Sequence, residues 1–189
     1  MNNLYVSEAI QTRRAYRSLQ QVAITRETVE DLARHAQLSA SCFNNQPWRL
    51  VFVYEKAKLD EMYEALSRGN AWAKQSSMII AAFTKPGDDC QIHEREYHQF
   101  DLGMATATMI LRATELGLVA HPIEGFSPKK VREVLGIPDE YTVLTLIIVG
   151  KKMQEIHTSL SEDQIKSELN RPERKLLEDW AYHNLYQGK

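Results

Sequence analysis

Residues 101–116 limit the possible folds of this chain more than any other part of the sequence. Asp101 is placed to cap a helix, and the apolar side chains after it surround the helix axis almost completely. A helix that is apolar on all sides is buried on most of them. In a chain of 189 residues, contact with a second subunit is an easy way to bury it. The pattern therefore predicts a homodimer with this helix at the interface.

The remaining segments mix strands and helices without a regular β-α-β alternation. Strand-like runs cover residues 49–54, 78–84 and 141–149, and the last is so continuously apolar that both of its faces must be covered. Helical patterns precede or separate these runs, beginning near Ser7, Thr25, Leu59, Ser127 and Ser161, and Thr25, Ser127 and Ser161 are candidate caps. We expect the Leu59 helix to end near Gly69 and the Ser127 helix to stop at Gly136. Several helices around few strands predict an α+β fold.

Composition and charge exclude several classes of protein. The length suits a single domain covering residues 1–189. A net charge of -2 without a run of basic residues argues against nucleic-acid binding. The sequence has no apolar run of the ~20 residues that span a bilayer, and its start is unlike a signal peptide, so we expect a cytoplasmic protein. Cys42 and Cys90 are far apart and in no metal-binding spacing, which predicts free thiols and no metal site.

Residues 39–48, here called the amide loop, combine small side chains with three amides before Pro47 and Trp48. Small residues allow close approach of the backbone to a flat ligand. The amides of Asn44, Asn45 and Gln46 can each donate and accept hydrogen bonds, which suits the mixed edge of a heteroaromatic ring. The alternative is an ordinary polar turn in which a Trp anchors the following strand.

Three segments together resemble the FMN-dependent nitroreductase family, over about residues 6–180. They are Arg-Arg-Ala-Tyr-Arg-Ser at 13–18, the amide loop, and His-Pro-Ile-Glu-Gly-Phe at 121–126. The resemblance implies a small, mostly antiparallel central sheet flanked by helices. It also implies an intertwined homodimer with non-covalent FMN at the interface. The tail, about residues 150–189, would then wrap around the partner subunit.

The resemblance also implies which residues contact FMN. Arg13, Arg14 and Ala15 would touch the cofactor, and Arg17 would help to hold its phosphate or polyol. Ala15 stands where the family usually has Ser. Arg174 matches an arginine that reaches the phosphate better than Arg171 or Lys175 does. The alternative for the first cluster is a solvated helix end, where cations complement the helix dipole.

The flavin ring would be held by other segments. By the same resemblance, Ser41, Cys42 and Asn44 line it from the opposite subunit, and Asn70 bonds its pyrimidine edge. The run Pro122, Ile123, Glu124 and Gly125 would supply backbone amides near flavin N5 and O4, where the reduced ring gathers negative charge. Glu124 would act through its backbone and not as a base. The alternative for residues 122–125 is an ordinary loop before the Ser127 helix. The alternative for Cys42 is a role as a catalytic nucleophile.

His93 and His98 resemble a zinc-protease pair with one residue too many. At ~100° per residue they would point about 140° apart on a helix, which argues against a shared metal ion. We expect a mobile helix over the pocket here, with Tyr97 or Phe100 touching substrate.

The implied activity is ping-pong hydride transfer from NADH or NADPH through flavin N5 to a flat, electron-poor acceptor such as a nitroaromatic or quinone. No protein acid is needed, so no catalytic residue is assigned. The alternatives are other flavin chemistry on the same fold, such as dehalogenation or oxygen-dependent cleavage, and a non-catalytic flavin sensor or store. The choice of nicotinamide and the physiological acceptor stay open.

Overall fold

The computed structural model describes residues 5–188 of the chain. Its strands are β1 (Leu19–Gln20), β2 (Arg49–Val53), β3 (Met78–Thr84), β4 (Gln91–Ile92), β5 (Arg95–Glu96), β6 (Val119–Ile123) and β7 (Thr142–Lys152). Its helices are α1 (Val6–Thr12), α2 (Arg26–Gln37), α3 (Lys56–Tyr63), α4 (His98–Glu115), α5 (Pro128–Leu135) and α6 (Glu162–Leu169). Short 3₁₀ turns cover Cys42–Asn44, Arg68–Gln75, Pro86–Asp88 and Leu177–Asp179.

The central sheet is built around β7. Strand β3 pairs with one edge of β7 and β6 with the other, while β2 extends the sheet beyond β3. Strand β1 pairs with the last two residues of β7, and every pairing is antiparallel. The predicted α+β class, with a small antiparallel central sheet, is confirmed.

Helices cover both faces of this sheet, and β3 shows why. All seven of its residues are buried, and successive side chains point to opposite faces. Ile79, Ala81 and Phe83 join a core that includes side chains of α3 and α5. Met78, Ile80 and Ala82 join a second core with α2 and α4. The molecule therefore has two apolar cores, one on each side of the sheet.

The predicted helix caps form as local chemistry requires. Thr25 accepts a hydrogen bond from the backbone of Thr28 at the start of α2. Ser127 caps α5, which ends at Gly136 in the left-handed conformation that glycine adopts without steric cost. Ser161 and Gln164 form the expected capping box of α6, each side chain bonding the other's backbone N–H.

Three local predictions are wrong. Helix α3 ends at Tyr63, well before Gly69, because the following chain turns to pair Leu66 with Phe126. Helix α4 begins at His98, so Asp101 lies within its first turn and does not cap it. The segment before α4 is a β4–β5 hairpin rather than a mobile helix, and His93 forms its turn with φ of 56°.

Helix α4 is buried on one side only within this subunit. It packs against α2 and the sheet through residues such as Leu102, Ala105 and Met109. On the opposite side, Phe100 is 63% exposed, and Gly103 and Ala107 are also exposed. A small, apolar helix face therefore remains open to another molecule. Nowhere in the described chain does a helix have the length and apolarity needed to cross a membrane.

Candidate functional site

The structure brings five arginines together in one cavity, here called the arginine pocket. The pocket has a volume of about 160 Å³. Its walls come from the segment after α1 and from the segment at and after the end of α6. The lining residues are Arg13, Arg14, Ala15, Arg17, Ser167, Arg171, Pro172 and Arg174. Four residues assigned to FMN from the first motif therefore meet Arg174, which lies about 160 positions away in the sequence.

Hydrogen bonds to backbone groups hold the two walls of the arginine pocket together. The Nη2 atom of Arg14 donates to the carbonyls of Ser167 (2.8 Å) and Glu168 (3.1 Å), near the end of α6. In the other direction, Arg171 donates to the carbonyl of Arg13 at 2.9 Å. Arg14 and Arg171 are thus engaged in joining the walls, which leaves other arginines to face a ligand.

Glu168 adds a second tie between the two walls. Its buried carboxylate accepts hydrogen bonds from the backbone N–H groups of Arg17 and Ser18, both at 2.9 Å. These bonds fix the chain where it leaves the arginine cluster and enters β1. The sequence analysis did not identify Glu168. The one signal for a special role was its position in the last turn of a helix, where a negative charge interacts unfavourably with the helix dipole.

The pocket concentrates positive charge. Partial burial, followed by the charges of Arg171 and Arg174, lowers the pKa of the Arg13 guanidinium from its ordinary value. Arg13 donates no side-chain hydrogen bond to any described residue, and Arg174 bonds only the nearby carbonyl of Pro172 at 2.9 Å. Like charges brought this close are stabilised by a bound anion. The arrangement suits a phosphate, which accepts paired hydrogen bonds from guanidinium groups.

A second cluster lies around Gly125, at the end of β6. The side-chain amide of Asn70 donates to the Gly125 carbonyl (3.0 Å) and accepts a bond from Trp72 Nε1 (3.2 Å). A Cβ atom at position 125 would lie 2.5 Å from both Asn70 Nδ2 and Ser67 Oγ, so any other residue would displace these side chains. The Asn70 amide is therefore occupied with holding the loop of Gly125.

The run before Gly125 lies along an edge of the sheet. Ile123 is buried, whereas Pro122 and Glu124 are exposed. Strand β6 pairs only with β7 among the described strands, so its other edge is open. Such an edge can offer backbone N–H groups to a ligand. The exposed side chain of Glu124 and this open edge agree with a role through the backbone.

His121 and Trp72 connect the Gly125 cluster to the arginine pocket. Their rings stack with centroids 4.8 Å apart, and the Arg17 guanidinium lies 5.9 Å from the Trp72 ring centroid. His121 Nδ1 is 3.1 Å from the Tyr16 carbonyl, within the first motif. Burial is the main cause that lowers the pKa of His121 to about 4, so the ring is neutral at pH 7. Sequence reasoning assigned no role to either residue.

The amide loop lies apart from these two clusters. Phe43, Asn44 and Gln46 all have positive φ angles, of 47°, 59° and 52°, and the Phe43 side chain is 86% exposed. Residues other than glycine adopt such angles at a cost, and they concentrate at functional sites. No hydrogen bond or ion pair between described residues joins this loop to the arginine pocket. Ser41, Cys42 and Asn44 are not among the residues that line that pocket.

Internal contacts hold the amide loop in this conformation. Ser41 Oγ accepts a hydrogen bond from the Gln46 backbone at 3.0 Å. The Cys42 N–H donates to the Asp101 carboxylate, in the first turn of α4, at 2.7 Å. The bond from Cys42 makes Asp101 an anchor for the amide loop.

Cys42 and Cys90 form a disulfide, so the prediction of free thiols is wrong. The two residues are 48 positions apart, but their Cα atoms are 6.0 Å apart because the amide loop packs against the segment before β4. A sulfur held in a disulfide is not a thiolate, which removes Cys42 as a nucleophile in this state. Only the fold could reveal this pairing, since the sequence shows no local Cys-x-x-Cys pattern.

Comparison with known proteins gives a consistent result. The model of the nitroreductase family matches residues 10–86 and 68–151. A protein of Archaeoglobus fulgidus, provisionally named NADH dehydrogenase/NAD(P)H nitroreductase, is 28% identical over 90% of this chain and 96% of its own length. The 5,6-dimethylbenzimidazole synthase of Rhodospirillum rubrum is 25% identical over 77% of this chain and 81% of its own length.

Solved structures are similar over the full length. A structure described as an oxidoreductase containing FMN has a TM-score of 0.83 and 25% identity, and the match covers 100% of this chain and 96% of that one. A protein of the same family from Clostridium difficile has a TM-score of 0.77 with 20% identity over 97% of this chain and 99% of its own. The latter match supports the fold alone.

Proposed function

The chain belongs to the nitroreductase family, and from that premise we propose hydride transfer from NADH or NADPH, by way of FMN, to a flat, electron-poor acceptor. It is an NAD(P)H-dependent oxidoreductase of this family, with FMN as its cofactor. The ping-pong order, the acceptor class and the residue roles below are proposals. Nitroaromatics and quinones are the acceptors that we propose.

The observation that carries the proposal is the arginine pocket. FMN ends in a phosphate that carries nearly two negative charges near neutral pH, and the pocket offers five guanidinium groups at the point where both walls meet. Neither Arg13 nor Arg174 donates a side-chain hydrogen bond to the opposite wall among the described residues, so we assign them the closest phosphate contacts. Arg14 and Arg171 hold the walls, and Arg17 extends the charge toward Trp72.

Bound FMN would supply the two-electron chemistry, and the protein would supply binding, orientation and electrostatics. We propose that the backbone of Pro122, Ile123, Glu124 and Gly125 faces the pyrimidine edge of the ring. Asn70 then acts chiefly by fixing the Gly125 carbonyl, and its amide is less available to the flavin than sequence reasoning assumed. Neutral His121 holds the Tyr16 carbonyl and supports Trp72 between the two clusters.

We further propose that the complete site needs a second copy of the chain. None of Ser41, Cys42 and Asn44 lines the arginine pocket of its own subunit, as expected if the amide loop lines the partner's ring site. The open face of α4 provides an apolar surface for the contact. The tail carries exposed Leu176, Leu177 and Trp180, which suit burial on the partner. Sedimentation should give a dimer at micromolar concentration.

The test of function begins with the purified, flavin-loaded protein. Heat-released cofactor should be FMN by chromatography, and stopped-flow mixing with NADH or NADPH should bleach the bound flavin rapidly. Reoxidation by a panel of nitroaromatics and quinones then defines the acceptor class. Bound FMN that neither nicotinamide reduces would overturn the proposal in favour of a sensor or store. A protein that fails to bind added FMN would overturn all of it.

A second candidate is another flavin reaction on the same scaffold, favoured by the similarity to 5,6-dimethylbenzimidazole synthase from Rhodospirillum rubrum. The same stopped-flow experiment separates the two candidates. Reduced flavin that reacts with oxygen but with none of the acceptors would favour this second candidate.

A further inference from the structure

The sulfur atoms of Cys42 and Cys90 lie beside the carboxylate of Asp89. Three potential ligand atoms, one from each residue, are all within 4.8 Å of one another. Cys42 comes from the amide loop, whereas Asp89 and Cys90 precede β4. The cluster therefore joins two segments that are distant in sequence. We propose that, once the disulfide is reduced, these residues form a structural site for a thiophilic divalent cation of the Zn²⁺ class.

The carboxylate of Asp89 has one oxygen that receives no N–H hydrogen bond from the described residues. Its Oδ1 atom accepts hydrogen bonds from the Cys90 N–H at 2.8 Å and from Asn45 Nδ2 at 3.2 Å. Its Oδ2 atom is buried without a hydrogen-bond partner. A buried acceptor without a partner is costly. Because Oδ1 fixes the carboxylate orientation, a cation could satisfy Oδ2 without rearranging the residue.

Asp101 adds a second carboxyl group to the same place. Its side chain is 2% exposed and lies against the Asp89 carboxyl group. Its Oδ2 atom accepts a hydrogen bond from the Cys42 N–H at 2.7 Å, so this carboxyl group is also held beside Cys42. A cation bound by Cys42 and Asp89 would therefore have the Asp101 carboxyl group within reach.

The ligand set selects the type of metal. Two thiolates and a carboxylate favour a soft or borderline cation, and Zn²⁺ accepts four such ligands in a tetrahedron with Zn–S distances of about 2.3 Å. Asp101 or a water molecule would complete the set. The Cα atoms of Cys42 and Cys90 are 6.0 Å apart, so both thiols stay close to each other once the S–S bond is broken.

The chemistry of the change is balanced by an external thiol or phosphine reductant. With a thiol reductant, two of its thiols break the Cys42–Cys90 bond, giving two protein thiols and one reductant disulfide. With a phosphine, one phosphine and one water molecule give two protein thiols and one phosphine oxide. Binding of Zn²⁺ then releases the two thiol protons, because the thiolate is the metal ligand. In either state, disulfide or metal-bound, the amide loop stays fastened to the segment before β4. Binding of Zn²⁺ at this cluster does not require FMN, since Cys42, Asp89 and Cys90 do not line the arginine pocket.

The experiment titrates full-length protein with Zn²⁺ in competition with a chromogenic chelator. One sample is fully reduced with a phosphine and handled without oxygen, and the other keeps its disulfide. Thiol counting verifies both states. We expect one tightly bound Zn²⁺ per reduced chain and none per oxidised chain. Metal analysis after gel filtration gives the stoichiometry, and both samples are measured with and without FMN.

Variants identify the ligands. Cys90→Ser should lower the Zn²⁺ affinity of the reduced protein by on the order of 100-fold or more, since a thiolate ligand is lost. Asp89→Asn keeps both thiols and should lower the affinity on the order of 10-fold. Asp139→Asn, a 98% exposed carboxylate, is the matched control and should change nothing. Circular dichroism verifies that each variant is folded.

Three results would overturn the proposal. They are a reduced wild type that binds Zn²⁺ no better than Cys90→Ser, an Asp89→Asn variant that binds like Asp139→Asn, and thiols that stay inaccessible to reductant in the folded protein. Failure to bind FMN would contradict the proposed function and leave the metal titration unaffected. The two proposals can therefore fail separately.

Discussion

The arginine pocket and the amide loop achieve rigidity in different ways. The pocket is held by ordinary hydrogen bonds from guanidinium and carboxylate groups to the backbone, and its parts come from both ends of one subunit. The loop contains three residues with positive φ and is fastened by a disulfide and a buried carboxylate. Among the described residues, none that lines the pocket has a positive φ angle, whereas the loop is held in backbone conformations that cost free energy.

The difference suggests that one region of a flavin site can bind the phosphate while another shapes the surface for the ring. An anion needs charge and donors, which a single chain can supply from flexible side chains. A flat ring needs a shaped surface, which requires backbone held in unusual conformations. We expect the two regions to respond independently to mutation, and the following predictions test that independence.

The largest effect should come from reducing the disulfide. A cross-link that spans 48 positions restricts the unfolded chain, so its loss should lower the free energy of unfolding by about 2–4 kcal/mol. Urea unfolding with a chelator present, with and without a phosphine reductant, measures this. Hydrogen exchange should accelerate at residues 41–46 and stay unchanged at residues 13–18. The Cys42→Ser/Cys90→Ser double variant should not respond to reductant, and equal acceleration in both regions would contradict their independence.

The next effect concerns anchoring in the pocket. Arg13→Ala or Arg174→Ala should each weaken FMN binding by one to two powers of ten, since each removes a charge-assisted contact worth about 1.5–3 kcal/mol. Flavin titration measures the affinity, and single-turnover reduction of the remaining bound flavin should keep a similar rate. Arg26→Ala, which removes an exposed ion pair on α2, is the control. Wild-type affinity in both pocket variants would refute the phosphate assignment.

Lowering the pH should destabilise the folded protein through protonation of the buried His121. The pKa of His121 is lowered to about 4 in the folded protein, against about 6.5 when unfolded, so its contribution is complete above pH 6.5 and is lost as the pH falls toward 4. Between pH 7 and 4.5 the wild type should lose about 2 kcal/mol more unfolding free energy than His121→Gln.

Urea unfolding at the two pH values checks this difference. His183→Gln, which changes an exposed histidine, should behave like the wild type. If His121→Gln loses as much stability as the wild type does, the ring is not held neutral in the folded protein.

The smallest effect should be an increase in FMN affinity. Ala15 lies in the pocket wall where the family usually has a serine. Ala15→Ser should restore one hydrogen bond to FMN and strengthen binding by about 0.5–1.5 kcal/mol. Flavin titration beside the wild type is sufficient, with Ala15→Val as a control that adds bulk without a hydroxyl. Equal affinity of Ala15→Ser and wild type would mean that the backbone already makes this contact.

Local signals in the sequence predicted the parts of the fold that depend on neighbouring residues. The caps at Thr25, Ser127 and Ser161 depend on groups within three positions, and all three form. Strand β3 was predicted with its observed bounds because it is apolar throughout. The start of α4 was harder to predict, because His98, Gln99 and Asp101 are polar and gave no apolar repeat to follow.

Tertiary contacts were beyond local reasoning. The disulfide between Cys42 and Cys90 and the tie from Glu168 to Arg17 join positions 48 and 151 apart. The β4–β5 hairpin was missed because its strands have only two residues each and its turn uses His93 in place of glycine. The arginine pocket was anticipated only through family resemblance, which paired Arg13 with Arg174 without any contact to argue from.

The ties between residues 13–18 and 167–171 also set an order of events in the cell. The first of these segments leaves the ribosome early, whereas its partners are made more than 150 residues later. Such long-range contacts form late in folding, because a long loop must close first. The sheet can assemble earlier from β2, β3, β6 and β7, but the arginine pocket cannot exist until synthesis has passed α6. Loading of FMN is therefore expected to follow translation, and an interrupted chain would fold much of its core and still be unable to hold the cofactor.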